Sequence, residues 1–443
     1  MISPAHDTAQ TDMTQHRLAK AQWLVVILGV VINMLDGFDI LSMSFATNGI
    51  KQDWLLTEQS LGWLLSAGLM GMAIGSTVNG WLADRYGRRR LILINVLWVG
   101  IGMIACALSN TLLALICCRV VTGLGIGGII ANGAVIVSEY APASWRGTAL
   151  ALYATGYSMG AALGGYIAKG LIPLYGWRSA FCLGAAASGV IWPILWRYLP
   201  ESIEYLTHLG QDRSQRLTQQ TLQRLQLTEL PRSLNGAITT NRGNTGLADL
   251  RNRQTLQLWA IFFLTMAGFY FLASWIPRLM TMAGLTAAQG LSSGVIQNTG
   301  GILGSFVFAL LALRTEPRRL LLAALIGSAL VVAAVGLYIH THGNDLSGIW
   351  LRALIIGIIS NAAMAGLYAV GPFSYQPAVR ALGMGTAIGV GRMGAILAPI
   401  LAGALLDQGM TPPDLLQWSA VVFVLAALLV VGLRAGAHKS AFA

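Results

Sequence analysis

Twelve apolar stretches follow one another along this chain, the first beginning near Trp23 and the last ending near Leu433. A helix needs about 20 apolar residues to cross the hydrocarbon core of a bilayer, so each stretch has the length of one crossing. Hydrophobic residues make up 55% of the chain and charged residues only 10%, which does not suit a surface that faces water. We therefore predict an all-α integral membrane protein of twelve transmembrane helices, with the lipid bilayer as its main partner.

A polar stretch at residues 201–255, rich in Gln, Arg, Thr and Asn, interrupts the series after the sixth crossing. The charged segment 84–91, between crossings two and three, has a weaker counterpart at 314–320, between crossings eight and nine. Such repeats are typical of transporters whose substrate site lies between two halves. We expect tails at 1–22 and 435–443, pseudo-symmetric six-helix halves at 23–200 and 256–434, and a central linker at 201–255.

Most basic residues lie in the gaps on one side of the predicted membrane, the side that also holds both termini and the linker. The positive-inside rule makes this side cytoplasmic. Because these residues do not form one basic face, the net charge of +11 does not indicate a nucleic-acid partner. The four cysteines lie in apolar stretches without metal-ligand spacing, so we expect no bound metal.

Several motifs carry a resemblance to a known family. The segment GWLADRYGRRR at 80–90 resembles the loop signature of the major facilitator superfamily, and RVVTGLGIGG at 119–128 resembles its fourth-helix signature. The segments DGFD at 36–39, PES at 200–202, YQPAVR at 375–380 and GRMG at 391–394 resemble the aromatic acid:proton symporters. In two places the chain departs from these patterns: Phe38 replaces a frequent Tyr, and the second-half loop lacks an Asp.

This resemblance implies the major facilitator fold and the import of a small aromatic carboxylate by proton symport. It also implies a monomer in the bacterial cytoplasmic membrane, with no cofactor beyond the coupling proton. Proton-coupled efflux of aromatic or drug-like compounds is the alternative. The fifth crossing resembles the signature of drug/proton antiporters, but Ala161 replaces their proline, so we interpret its small residues as packing positions. The sequence shows no combination of a nucleophile and a base of the kind that enzymes use, so we do not expect an enzyme.

Only four charged residues lie deep in the predicted crossings: Asp36 and Asp39 in the first, Arg119 in the fourth and Arg392 in the eleventh. Charges inside a membrane are costly and usually functional. The two Asp residues share a helix face, and Arg119 lies at a similar depth, so we expect an ion pair there. Because two close carboxylates do not both ionise easily, we expect one to carry the coupling proton and favour Asp39. The alternative is a pair that only fixes helix packing.

Arg392 lies near the middle of its crossing and can grip a carboxylate with two hydrogen bonds, so we predict that it anchors the substrate. The alternative is an ion pair with one of the Asp residues. An aromatic substrate also needs apolar walls and polar contacts. For these we consider Phe38, Asn132, Tyr157, Phe269, Tyr270, Trp275, Gln297, Asn298, Asn361 and Tyr368.

The loop motif indicates a gate on the cytoplasmic side. Gly80 allows close helix approach, and Asp84 can meet a helix dipole and nearby arginines. The resemblance implies that this loop contacts the eleventh crossing when the site faces outward. We expect the gate to comprise Gly80, Asp84, Arg88, Arg89, Glu139, Arg146 and Arg380. The alternative is an arginine cluster that serves only membrane topology.

Overall fold

A computed structural model describes residues 7–141, 145–207, 252–342, 348–375 and 380–433. Within these ranges the chain is helical and contains no strand. The long helices of the first half are α1 (Asp7–Trp54), α2 (Glu58–Tyr86), α3 (Arg88–Leu108), α4 (Leu112–Tyr140), α5 (Arg146–Tyr175) and α6 (Arg178–Tyr198). After the short α7 (Ile203–Thr207) follow α8 (Arg253–Met282), α9 (Ala287–Leu311), α10 (Pro317–His342), α11 (Ile349–Val370), α12 (Arg380–Asp407) and α13 (Pro412–Gly432).

Twelve of these described helices have at least 21 residues. Eleven are apolar enough along their length to be membrane spans by composition alone. The twelfth, α5, has 30 residues, enough for about 45 Å of helix, but its many Gly and Tyr residues lower its hydropathy. The predicted all-α membrane fold with twelve crossings is confirmed.

The helices extend beyond the apolar stretches that predict them. The first helix, α1, continues to Trp54. Its last turns stay helical because Ile50 is buried and Thr47 donates to the carbonyl oxygen of Ser44 at 2.6 Å. Most of the predicted linker, residues 208–251, lies outside the described residues.

The two halves repeat one packing pattern. In the first half α2 packs on α4, α1 on α5, and α3 on both α4 and α6. In the second half the corresponding pairs are α9 with α11, α8 with α12, and α10 with α11 and α13. The halves meet through α2 against α12, α5 against α9, and α1 against α8. The fold is therefore two pseudo-symmetric six-helix bundles facing each other.

We name the two faces of the bundle after the residues that begin α2 and α3: the Glu58 end and the Arg88 end. At the Glu58 end, Arg278 of α8 donates to Glu58 at 2.5 Å and to Asn48 at 2.9 Å. The carboxylate of Asp407 in α12 accepts from the backbone N–H groups of Glu58 and Gln59, both at 2.9 Å. Lys51 also pairs with Glu58. These bonds join the halves and close this end.

The Arg88 end is open between the halves. A Cβ added at Gly80 would meet nothing within 4 Å, and the Asp84 side chain is 76% exposed. Deeper in the bundle, Tyr368 remains 42% exposed although it lies near Arg392 and Asp36. The centre of the molecule is therefore reached from the Arg88 end.

Candidate functional site

A buried ion pair links α1 and α4 near the middle of the first half. Arg119 donates through Nη1 to Oδ1 of Asp39 at 2.7 Å and through Nη2 to Oδ2 at 2.9 Å. Both residues are at most 1% exposed. The guanidinium lies against Gly68 of α2, where an added Cβ would come within 2.7 Å of Nη2. The predicted ion pair is confirmed, and Gly68 provides the space for it.

Asp36, one turn before Asp39, has a different environment. It is 6% exposed, and its Oδ1 is a buried atom without a hydrogen-bond donor in the part of the chain that the structure describes. Beside it, a Cβ on Gly37 would lie 1.8 Å from the carbonyl oxygen of Tyr157, so α1 and α5 touch backbone to backbone. The Asp36 residue therefore lies beside a close contact between α1 and α5.

Arg392 of α12 faces this carboxyl from the other half. It lies close enough to Asp36, Tyr270 and Tyr368 to interact electrostatically with all three. Among the described residues it makes no ion pair within 4.0 Å. The alternative, in which Arg392 forms an ion pair with Asp36 or Asp39, is not observed in this conformation. A cation and a carboxyl, both unpaired with any described residue, thus face each other across the interface of the halves.

Aromatic rings from both halves lie beside these charges. The rings of Tyr157 and Phe269 have centroids 6.3 Å apart, and Tyr270 contacts Phe269 edge to face at 5.3 Å. Tyr368 contacts Phe262 in the same way at 6.2 Å. The hydroxyl of Tyr157 is buried and has no partner within the described chain. Four of the predicted aromatic residues are therefore brought to one place.

Two other predicted aromatic residues are not. Phe38 points away from the centre, because its ring packs against Gly164 of α5 and Gly184 of α6, next to Met103 of α3. Trp275 is fully buried and donates to the carbonyl oxygen of Pro399 at 3.2 Å. The prediction that Phe38 lines the substrate site is wrong for this conformation, since sequence position did not reveal which helix face points inward. The prediction for Trp275 stays a prediction.

The predicted polar contacts fall into two groups. Asn132, Asn298 and Asn361 donate to the carbonyl oxygens of their own helices four residues earlier. Asn361 also accepts from Ser158 of α5 at 3.3 Å. Gln297 is 3% exposed, and its Oε1 has no donor among the described residues. Among the described residues of this set, Gln297 is therefore the one with a fully buried side-chain atom that lacks a partner.

The predicted gate residues lie at the Arg88 end but do not bridge the halves. Arg88 pairs with Glu204 at 3.0 Å and lies 3.7 Å from Glu139 and Asp84. Arg89 donates to the carbonyl oxygens of Leu199 at 2.7 Å and Trp196 at 2.6 Å. These bonds bind α3 to the end of α6 and to α7.

Glu139 continues this network. It accepts from Ser202 and from the backbone of Ile203. Arg146 has a buried Nε without a partner among the described residues, so its predicted place in the gate stays a prediction. The side chain of Arg380 lies outside the described residues. No ion pair between the described residues of this motif and α12 is present in this conformation.

Glu201, which follows α6 and lies outside the membrane spans, stabilises the contact between α3 and the end of α6. Its Oε1 accepts from the backbone N–H groups of Arg89 and Ser202, both at 2.9 Å. Burial nevertheless raises the pKa of its carboxyl above the ordinary value of 4.5, because desolvation outweighs those hydrogen bonds. The segment after α6 is thereby tied to α3.

Residues at the Glu58 end were not predicted to have a role. Glu58, Arg278 and Asp407 lie at span ends, where we interpreted charges as topology signals. A signal was available: Glu58 and Arg278 are charges of opposite sign on one side of the predicted membrane, in different halves. The contact itself depends on how α2, α8 and α12 pack.

Comparison with known proteins agrees with this architecture. The family model described as Major Facilitator Superfamily matches residues 26–375. The chain is 30% identical to the 4-hydroxybenzoate transporter PcaK of Acinetobacter baylyi, over 98% of this chain and 95% of that protein. It is 29% identical to the gallate transporter of Pseudomonas putida, over 94% and 92%.

Solved structures support the same fold. The inward open conformation of the xylose transporter XylE from E. coli has a TM-score of 0.74 at 16% identity, covering 95% of this chain and 98% of that one. The chain therefore belongs to the Major Facilitator Superfamily and, within it, to the aromatic acid transporters, a family of membrane transporters and not of enzymes.

Proposed function

We propose that this protein imports a small aromatic carboxylate by proton symport, with alternating access between its two halves. We further propose that it works as a monomer in a bacterial cytoplasmic membrane with both termini cytoplasmic, which makes the Arg88 end the cytoplasmic one. In this orientation the structure is inward-facing, with its extracellular side closed by the bonds of Glu58, Arg278 and Asp407.

One observation carries the proposal: Arg392 and Asp36 face each other across the two halves, and neither makes an ion pair with a described residue. An unpaired guanidinium in a low-dielectric site attracts an organic carboxylate strongly. An unpaired buried carboxyl readily accepts a proton, since burial penalises the charged form. The pair therefore provides one group for an anion and one for a coupling proton.

Support for an aromatic cargo comes from the rings next to Arg392 and from the relatives. Tyr157, Phe269, Tyr270 and Tyr368 offer apolar faces against which a planar ring can pack. Among the relatives are proteins named as transporters of 4-hydroxybenzoate, gallate and benzoate. We infer that this chain accepts a ligand of the same chemical class.

The proton is assigned to Asp36, which changes our preference from Asp39. Both carboxylate oxygens of Asp39 receive hydrogen bonds from Arg119, and such contacts favour the charged form. Asp36 keeps a buried oxygen without a donor among the described residues. We propose that Asp39 stays ionised to hold Arg119, while Asp36 gains and loses the coupling proton.

In the proposed cycle the outward-facing protein takes up a proton on Asp36 and the substrate anion at Arg392. Loss of the negative charge on Asp36 frees Arg392 for the substrate carboxylate. The halves then rock, the Glu58 end closes, and the Arg88 end opens as in this structure. Water reaching the site from the cytoplasm removes the proton, and Asp36 then competes with the substrate for Arg392.

Energetics also favour symport for uptake. Moving one negative charge inward against a negative interior costs about 2.3 kcal/mol per 100 mV. One co-transported proton cancels this cost, and a second would reverse it. An importer of a monoanion therefore benefits from a proton site close to its anion site.

The test is transport in proteoliposomes containing the purified protein. With an inward proton gradient and labelled 4-hydroxybenzoate outside, we expect accumulation that a protonophore abolishes. The efflux alternative predicts the opposite: preloaded substrate leaves while protons enter, and none accumulates. If substrate uptake stays the same whether the proton gradient is imposed inward or outward, proton coupling is disproved, although transport itself is not.

A further inference from the structure

Gln297 differs from the buried asparagines of the bundle. Seven asparagines of the described chain are buried, and each has a side-chain hydrogen bond to a described residue: Asn33, Asn48, Asn79, Asn95, Asn132, Asn298 and Asn361. Gln297 is as deeply buried as these, yet its Oε1 has no donor among the described residues. An unsatisfied buried acceptor costs about 1–3 kcal/mol, so its presence suggests a bound donor in another state.

The backbone of Gln297 packs on α11 of its own half, where a Cβ on Gly357 would overlap the Gln297 carbonyl oxygen. One turn further along, a Cβ on Gly301 would come within 2.4 Å of Asn361 and 2.9 Å of the Ser158 hydroxyl. Ser158 directly follows Tyr157, the other central residue with a buried oxygen that has no partner in the described chain. The contact of α9 with α11 and α5 at Gly301 therefore lies one turn from Gln297 and next to Tyr157.

The depth of Gln297 can be compared with that of Arg392 along α8, which packs against both helices. Gly294 contacts Pro277, so Gln297 lies near the level of Ser274 on the antiparallel α8. Gly391 contacts Met266 and Gly394 contacts Phe263, which puts Arg392 near the level of residue 265. The difference of nine residues is roughly 13 Å at 1.5 Å per residue, and Phe269 and Tyr270 lie in between.

We propose that Gln297 accepts a hydrogen bond from a hydroxyl on the substrate ring, at the end away from the carboxylate, and so selects hydroxylated aromatic acids over benzoate. This inference rests on the proposed function, because it takes Arg392 as the carboxylate anchor. The separation of roughly 13 Å along α8 can be spanned by one aromatic ring with polar groups at its two ends together with the side chains that bind it. The Tyr157 hydroxyl is a second group that can form a hydrogen bond with the same ring hydroxyl.

The selection works mainly by penalising the wrong ligand. A hydroxyl donates to the Gln297 oxygen and removes its unsatisfied state. Benzoate fills the same space with a C–H group and leaves the amide oxygen buried and unpaired. Sites built to bond a ligand hydroxyl reject analogues that lack it far more strongly than apolar pockets reject an added group.

The test compares uptake of 4-hydroxybenzoate and benzoate by the wild type, Gln297→Met and Thr299→Val in proteoliposomes. Methionine keeps the length of the side chain without its polar atoms. Thr299 is an exposed residue of the same helix whose hydroxyl donates to the carbonyl oxygen of Val295, so it is the matched control. For the wild type and Thr299→Val we expect a KM for 4-hydroxybenzoate about tenfold below that for benzoate.

For Gln297→Met we expect the KM for 4-hydroxybenzoate to rise about tenfold while benzoate uptake stays within about twofold of wild type. Retained benzoate uptake also proves that the variant folds. An unchanged KM ratio, or an equal loss for both acids, overturns the role of Gln297. If the wild type transports neither acid nor any other aromatic carboxylate, the proposed function fails and this inference fails with it.

Discussion

Arg119 holds both carboxylate oxygens of Asp39, at 2.7 and 2.9 Å, whereas Asp36 one turn earlier keeps a buried oxygen without a donor in the described chain. Two acids three residues apart on one helix thus have different partners. The difference suggests separate tasks, because Asp39 is held by Arg119 while Asp36 is left without a partner in the described chain.

Neutralising Asp36 should uncouple transport from the proton gradient. We expect Asp36→Asn to lose proton-driven accumulation but to retain exchange of labelled for unlabelled substrate, since exchange needs no net proton movement. Both are measured by uptake into proteoliposomes. Asp53→Asn, a change at a 52% exposed carboxylate of the same helix, is the control and should accumulate normally. Full accumulation by Asp36→Asn would disprove the assignment.

Neutralising Asp39 should instead destabilise the fold. Asp39→Asn leaves Arg119 buried without its counter-charge, which costs about 3–5 kcal/mol, so the apparent melting temperature in detergent should fall. The double variant Asp39→Asn with Arg119→Gln should regain part of that loss, because no unpaired charge remains. If the double variant is less stable than either single one, the pair does not act as a structural unit.

The substrate anchor should depend on guanidinium geometry as well as charge. Arg392→Lys keeps the positive charge but loses the two-point grip on a carboxylate. We expect the KM of Arg392→Lys for the substrate to rise about tenfold, equivalent to about 1.4 kcal/mol. For Arg392→Gln we expect uptake that no longer saturates with substrate concentration. Arg352→Lys provides the control, since Arg352 contacts Tyr338 and Gly348 on α10 and α11. Equal KM values for all variants would remove Arg392 from the site.

The Glu58 end should open more readily without its ion pair. Glu58→Gln weakens the bond to Arg278, so we expect a larger outward-facing population. Spin labels are attached to Leu55→Cys and Gln408→Cys, two exposed positions in different halves, in a protein without its native cysteines. Double electron–electron resonance then measures the distance between the two labels. Gln59→Ala keeps the backbone N–H group that donates to Asp407, so this variant is the control. Identical distance distributions in Glu58→Gln and the wild type would contradict this role.

Glu201 should make stability depend on pH. Burial raises the pKa of its carboxyl above 4.5, so the folded state keeps its proton while the unfolded chain releases one. The stability that this carboxyl contributes is therefore complete below 4.5 and is lost as pH rises through the folded pKa. Glu201→Gln retains an oxygen for the two backbone donors and cannot ionise.

We thus expect the melting temperature of Glu201→Gln relative to wild type to increase as pH rises from 4 toward neutrality. Glu316→Gln, at a carboxylate that is 47% exposed at the same end, is the comparison and should show a constant offset. A pH-independent difference for Glu201→Gln would mean that its carboxyl titrates alike in both states.

Local patterns were sufficient for the membrane architecture. The apolar stretches predicted twelve crossings because a bilayer demands a continuous apolar run for each helix, whatever its neighbours. The rarity of charge in those runs also singled out Asp36, Asp39, Arg119 and Arg392, since a membrane allows few such residues without a function. The motifs at 80–90 and 36–39 were by themselves enough to indicate the family.

Tertiary packing decided what those residues contact. Arg119 bonds Asp39 and not Asp36, the ring of Phe38 turns away from the centre, and Gln297 has no donor in the described chain where its neighbour Asn298 is bonded. The contacts that build the site join residues far apart in the chain, 80 positions for Arg119 and Asp39, at distances set by how whole helices pack. A periodic sequence shows that a residue is inside the bundle, but the rotation and tilt of each helix determine which residue it meets.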